Sequence, residues 1–218
     1  MLQLFDNIFF LFPMPFKKLH PHLKAFLDSK EITSPTPFQK ASIPTIKSGT
    51  SVFCIAEKDL GKTTTLILTT LHKIKCEEFG TAPRAIVLVG SNDDALEIYE
   101  EFSKYTRYTD VRVYLADEKS HIDLLKSEIF EGVDILISTT KQMNKLLLLE
   151  GVNTTQVKIL SIDDADFLAQ GTSTADLISI TQSIHKCQFV IYAEKMHPAL
   201  KRLESNFMEH SRIVSISL

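Results

Sequence analysis

The chain has 218 residues, 44% of them hydrophobic and 23% charged, with a formal net charge of −3. That is globular composition, enough for one large domain with a substantial core, and the slight acidic excess argues against strong autonomous binding to nucleic acid. Three widely spaced cysteines, Cys54, Cys76 and Cys187, argue against a disulfide framework or a Cys-x-x-Cys metal knuckle and fit a reducing, cytoplasmic setting.

In chain order, the first stretch is "MLQLFDNIFFLFPMPF". It lacks a basic leader and a small-residue cleavage site, Asp6 interrupts it, and it is too short to span a bilayer. It therefore reads neither as a signal peptide nor as a membrane helix, and no membrane role is expected. Residues 1–15 are set apart as an apolar extension, either a docking segment or an over-long start with Met14 as the true beginning. Residues 16–218 read as a single domain. Within it, "HLKAFLDSK" and "PFQKASIPTIK" read as two short helices around the loop "EITSPT".

Short apolar, β-branched runs then alternate with helix-like segments. The runs are "SVFCI" (51–55), "AIVLV" (85–89), "VRVYL" (111–115), "VDILIS" (133–138), "VKILSI" (157–162), "QFVIY" (188–192) and "RIVSIS" (212–217). This alternation predicts an α/β fold with a mostly parallel sheet and helices on both faces. "CEEF" (76–79) and "YEEFSKY" (99–105) read as solvated helix faces, "KLLLLEG" (145–151) as a buried helix end, and Asn92 as a helix cap. His20 and His22 read as surface residues, because no third ligand is placed for a metal.

Gly61-Lys62-Thr63 follows the first strand and opens a helix. In that context Gly lets backbone N–H groups face phosphates, and the helix N-terminus favours negative charge. Lys62 would reach the β- and γ-phosphates, the Thr63 hydroxyl would ligate Mg²⁺, and Thr64 would line the same loop. The competing reading is a chance triplet at a helix start. "LSIDDADFL" (160–168) ends a second strand in Asp163 and Asp164. An ATPase needs such a pair, one carboxylate on Mg²⁺ through water and its neighbour to polarise the attacking water. Helix capping is the competing reading for the carboxylates.

Pro35-Thr36-Pro37-Phe38-Gln39, with Ile43-Pro44 after it and Phe16 before it, resembles the adenine-recognising Q motif of DEAD-box RNA helicases. The order Ala56 to Thr63, then "LSIDDAD", then "QFVIYAEKMHP" is similar to that family's N-terminal RecA-like lobe, and the resemblance spans about residues 14–218. It implies a RecA-like P-loop NTPase fold that takes ATP or ADP with Mg²⁺. By resemblance Gln39 would bond the adenine and Phe16 would stack near it, about two residues off the family spacing. Asp163 and Thr63 would serve the metal, and Asp164 would be the catalytic carboxylate.

Several positions depart from the family pattern. Asp59 stands where the family has Gly; at ~5 Å from a phosphate charge, an effective dielectric of about 20 gives roughly 3 kcal/mol of repulsion. Asp164 replaces Glu and withdraws the carboxylate by one methylene, which should harm chemistry more than binding. The family's Ser-Ala-Thr reads Tyr192-Ala193-Glu194, "PTRELA" reads "GSNDDA" (90–95), "TPGR" reads Thr139-Thr140-Lys141-Gln142, and the double glycine reads Ala116-Asp117. Cations that would meet RNA phosphate are thus replaced by neutral or acidic groups. The chain stops at "RIVSISL", before the second lobe that the family resemblance implies.

The expectation is a degenerate lobe that binds adenine nucleotide, with weak or no ATPase and weak RNA binding alone. One alternative is an ATPase or helicase component working with a partner that supplies a second lobe, or as a homodimer. The other is a non-catalytic interaction scaffold.

Overall fold

The computed structural model describes residues 15–169 and 173–216. Residues 1–14, all of the apolar extension but Pro15, and with them the choice of Met14 as a start, lie outside these residues, as does Ser217 of the last run.

Seven strands form one all-parallel sheet in the order β3-β4-β2-β5-β6-β1-β7. They are β1 Val52–Ala56, β2 Ala85–Val89, β3 Val113–Leu115, β4 Ile135–Thr139, β5 Ile159–Ile162, β6 Gln188–Ala193 and β7 Arg212–Ile216. Because strand side chains alternate between faces, each central strand feeds two cores. Val52, Cys54 and Ala56 of β1 join one, with Ala85, Val87 and Val89 of β2. Phe53, Ile55, Ile86 and Leu88 join the other.

Four helices cover the first face: α1 Pro21–Ser29, α2 Pro37–Lys47, α3 Lys62–Lys73 and α4 Asn92–Thr106. Four cover the second: α5 Ile122–Glu131, α6 Thr140–Leu148, α7 Ser173–Gln182 and α8 Pro198–Glu204. With all strands parallel, the sheet has one carboxyl edge and one amino edge. Loops after β1, β2, β5 and β6 meet at the carboxyl edge, where open α/β sheets place their ligand crevices.

The amino edge is pinned by a buried ionic network. Asp134 accepts from Arg84 Nη2 at 2.8 Å, Arg112 Nε at 2.9 Å, and the backbone N–H groups of Arg112 and Phe79, each at 3.0 Å. Burial would push the Asp134 carboxyl up, but these bonds outweigh it and hold the group below its ordinary value.

Several local expectations are corrected. Ser91, not Asn92, caps α4, its Oγ accepting from Asp94 N at 3.2 Å; Asn92 instead accepts from Glu118 N at 3.0 Å. "CEEF" is a loop beyond α3, with Cys76 buried at φ 50° and Phe79 exposed. In "KLLLLEG" only Leu146 is fully buried, while Leu148 is 73% exposed, because the helix runs out at the surface. The third strand forms only over its last three residues. His22 is half-buried, its Nε2 2.9 Å from the Tyr105 carbonyl oxygen. No helix of the described residues is long and apolar enough to cross a membrane.

Candidate nucleotide site

Between β1 and α3 the chain turns through two left-handed residues, Asp59 at φ 60° and Gly61 at φ 87°. Asp tolerates that region better than most residues, whereas Gly61 is demanded twice. A β-carbon there would be strained by φ and would also lie 2.6 Å from Gln39 Nε2. The turn leaves Lys62 as the first residue of α3, and its ammonium donates to the carbonyls of Ala56 at 2.6 Å and Glu57 at 2.8 Å. The lysine thus closes the loop on itself.

Thr36 and Gln39 hold this loop from outside. They form a reciprocal capping box at the start of α2: Gln39 N donates to Thr36 Oγ1 and Thr36 N to Gln39 Oε1, both at 3.1 Å. The Thr36 hydroxyl donates to the Leu60 carbonyl at 2.9 Å, and Gln39 Nε2 reaches the Gly61 carbonyl at 3.5 Å. One helix cap therefore clips two successive carbonyls of the phosphate-loop segment.

Asp163 follows β5, whose register against β2 and β6 brings it beside α3. The Thr63 hydroxyl donates to Asp163 Oδ2 at 3.2 Å, joining positions 100 residues apart. Burial first, and then the Asp164 charge, push the Asp163 carboxyl up to about 6 against the opposing Thr63 bond and Lys62 charge. Asp164, at φ 45°, is also raised, first by burial and then by Asp166 and other acids, against Lys62. Asp166 accepts from the Glu194 backbone N–H at 2.8 Å, tying the loop after β5 to the loop after β6.

These loops surround a cleft of about 560 Å³. Gly61, Lys62, Thr63, Thr64, Asp163 and Asp164 all line it. Gln39 stands behind the loop, 4% exposed, as a positioning residue. Phe16 is not brought to the cleft. It is half-buried against the core under α1 and α2, next to Lys18, whose carbonyl accepts from Lys47 at the far end of α2.

The cleft also holds residues that sequence reasoning missed. Asp94, Glu97 and Glu101 line it from α4, beside Asp59 and Glu194, which the sequence already marks as departures from the family pattern. "YEEFSKY" is therefore not only a solvated face. The spacing i, i+3, i+7 puts the three α4 acids on one helical stripe, and that was the available signal. Seven carboxylates and two lysines, Lys58 and Lys62, line the cleft. Such a lining fits a nucleotide brought with a divalent cation better than a bare polyphosphate. Thr63 and Asp163 fit the few protein oxygens Mg²⁺ takes while keeping water and phosphate as its other ligands. Among the described residues no cluster of three or more His, Cys, Asp or Glu is arranged to hold a metal ion by itself.

The sequence matches the DEAD/DEAH box helicase family over residues 36–195. It is 28% identical over 213 residues to the ATP-dependent RNA helicase dbp3 of Neosartorya fischeri, covering 94% of this chain and 40% of that protein. It is 26% identical over 199 residues to the DEAD-box ATP-dependent RNA helicase CshB of Listeria monocytogenes, covering 88% of this chain and 44% of the relative. The chain thus spans less than half the length of these relatives. Among solved structures, the yeast DEAD-box splicing factor Prp28 superposes with a TM-score of 0.77 at 18% identity, over 91% of this chain and 50% of that one. The S. cerevisiae dbp5 chain, solved with nup159, gle1, IP6 and ADP, gives 0.76 at 17% identity, over 90% and 52%. The fold is that of a RecA-like helicase lobe.

Proposed function

The chain belongs to the DEAD/DEAH box helicase family, and from that premise we propose that its carboxyl-edge cleft binds adenine nucleotide as a magnesium complex and turns it over slowly or not at all. The observation that carries this reading is the Thr63–Asp163 hydrogen bond at 3.2 Å, set beside the Lys62 ammonium at the mouth of the same loop. In the bound state Lys62 exchanges two backbone carbonyls for phosphate oxygens. Thr63 and Asp163 would hold the cation, which would supply charge neutralisation and polarise the phosphate. Gln39 keeps the loop in shape, and the second hydrogen of its amide is available to a base.

Slow turnover follows from the acids around the reacting end. In this reading Asp164 accepts the proton from water, and burial and its acidic neighbours make it more basic than an ordinary aspartate. Its side chain is one methylene shorter than glutamate, and Glu194, Asp94 and Asp59 oppose the negative charge that builds in phosphoryl transfer. RNA unwinding is an activity of relatives more than twice as long, and in this reading the lobe described here does not unwind RNA by itself. RNA binding by the lobe alone is weak.

Thermal melting with ATP or ADP, with and without Mg²⁺, tests the reading. Saturating Mg-nucleotide should raise the melting temperature, about 2.7 kcal/mol of stabilisation at 100-fold excess over Kd. Lys62→Ala should abolish the shift relative to its own apo state. A calorimetric titration showing no heat at saturating nucleotide overturns the proposal.

A further inference from the structure

We propose that residues 8–12 of the N-terminal extension, "IFFLF", dock on the outer side of β7 as an added antiparallel strand. The free flank of β7 is thus a docking surface for the chain's own apolar segment. The pairing forms whatever the carboxyl-edge cleft binds.

Among the described residues β7 pairs with β1 alone, in register over its whole length, Arg212–Ile216. The Arg212 N–H donates to the Ser51 carbonyl at 2.9 Å. Backbone groups alternate in direction along a strand, so Val214 and Ile216 also turn their N–H groups toward β1, while Ile213 and Ser215 turn theirs outward. The side chains divide in the same way. Val214 and Ile216 pack on the first core, which α2 covers, whereas Ile213 is 55% exposed. Natural sheets blunt such a flank with inward charge, proline, a bulge or a very short strand. The opposite flank, β3, is only three residues long. β7 has no proline, and its one charged residue, Arg212, stands at its start. A regular and unblunted flank is a template for one more strand.

Position and composition select the occupant. Pro15–Lys18 form a short turn packed on α2, and the Lys18 carbonyl accepts from the Lys47 ammonium at the end of that helix. Four residues beyond Lys47, Ser51 carries the carbonyl that receives Arg212. Pro15 and the start of β7 thus flank the same end of α2, at the amino edge. A segment that reaches Pro15 from the carboxyl edge runs antiparallel to β7. "IFFLF" matches β7 in length, about 17 Å when extended, carries no charge, and is rich in the aromatic residues that strands favour. Asp6 and Asn7 precede it, and Pro13 and Pro15 follow it; proline has no N–H to extend a ladder, so the pairing stops there. Left uncovered, such an uncharged run invites strand association with other chains. The tether through Pro13 and Met14 gives it a concentration at β7 that a second copy in solution does not match.

Amide hydrogen exchange in the full chain, resolved residue by residue by NMR, tests this through the alternation along β7. The outward N–H groups of Ile213 and Ser215 should exchange at least about tenfold more slowly than in an unstructured chain. Phe10→Pro removes a donor from the middle of the run and should bring both amides to within about threefold of unstructured rates. The Val214 amide, turned toward β1, should change less than about twofold. If Phe10→Pro lowers the melting temperature, Phe9→Asp with Phe10→Asp carries the same test by placing charge in the run. Unprotected Ile213 and Ser215 amides in the full chain overturn the proposal. So does protection that survives both variants, and its loss on dilution would then assign the flank to a second copy.

Discussion

Two buried aspartates sit at opposite edges of one sheet, and their surroundings push their carboxyl groups in opposite directions. Asp134, at the amino edge, receives two guanidinium bonds and two backbone N–H bonds and is held below its ordinary value. Asp163, at the carboxyl edge, receives one side-chain hydroxyl and is pushed up to about 6 by burial and by its neighbour Asp164. The first is a finished structural joint. The second is a carboxylate whose charge lacks compensation within the chain, which is the condition expected of a group that awaits a cation. The same contrast extends outward, with Lys73 and Lys158 near one another at the amino edge and seven carboxylates around the cleft.

The comparison breaks most visibly at Asp134. Asp134→Ala would leave the buried Arg84 without its carboxylate and should cost about 3–5 kcal/mol in urea denaturation. The pH dependence has a definite sign. A depressed carboxyl contributes stability that is present above its unfolded value and is lost as pH falls through its folded value. A loss below about 1 kcal/mol would mean the two arginines find other partners, and Asp134 would no longer contrast with Asp163.

Asp163 should behave the other way. Its folded value lies above its unfolded one, so its contribution is present at low pH and is lost as pH rises from about 4 through about 6. Asp163→Asn removes that cost and still offers an oxygen to Thr63. The apo variant should therefore be more stable at neutral pH by about 2–3 kcal/mol, with the gain vanishing toward pH ~4. The same variant should lose the melting shift given by Mg-nucleotide. Stability gained together with nucleotide response retained would separate the buried carboxylate from the site.

Much of this contrast was legible in the sequence, for physical reasons that differ by region. Strands such as "AIVLV" are apolar at every position because both faces are covered, so their runs stand out against any loop. The Gly61-Lys62-Thr63 turn is local, and local chemistry is written in adjacent letters; the Thr36–Gln39 capping box is equally local but goes unread inside the segment that resembles the adenine-recognising motif. The placement of Phe16 near the adenine comes from the family resemblance, about two residues off its spacing, and the structure shows only that Phe16 packs against the core under α1 and α2 and does not line the cleft. The α4 acids were hidden because Asp94, Glu97 and Glu101 look like any solvated stripe until the sheet turns that stripe toward the cleft. Ser91 takes the cap from Asn92 because either side chain can cap, and only the backbone at 91, extended at φ −137°, fits the role.

Tyr192 gives the smallest test of the comparison. It stands on β6 near the carboxyl edge, where the family resemblance expects a serine, and its side chain is fully buried in the core beneath α2 and α3. Its hydroxyl has no hydrogen-bond partner of good geometry among the described residues; the neighbouring Thr69 hydroxyl donates instead to the Thr65 carbonyl at 2.7 Å. A buried hydroxyl without a partner carries its desolvation cost uncompensated, while the ring fills volume that the core needs. Tyr192→Phe keeps the ring and removes the orphaned group, so it should leave stability unchanged or raise it by about 1 kcal/mol. Tyr192→Ser, the family-like residue, should instead cost about 3–5 kcal/mol by opening a cavity. Were Tyr192→Phe to destabilise the chain by more than about 1 kcal/mol, the hydroxyl would have to be bonded, and the carboxyl edge would be better satisfied than Asp163 implies.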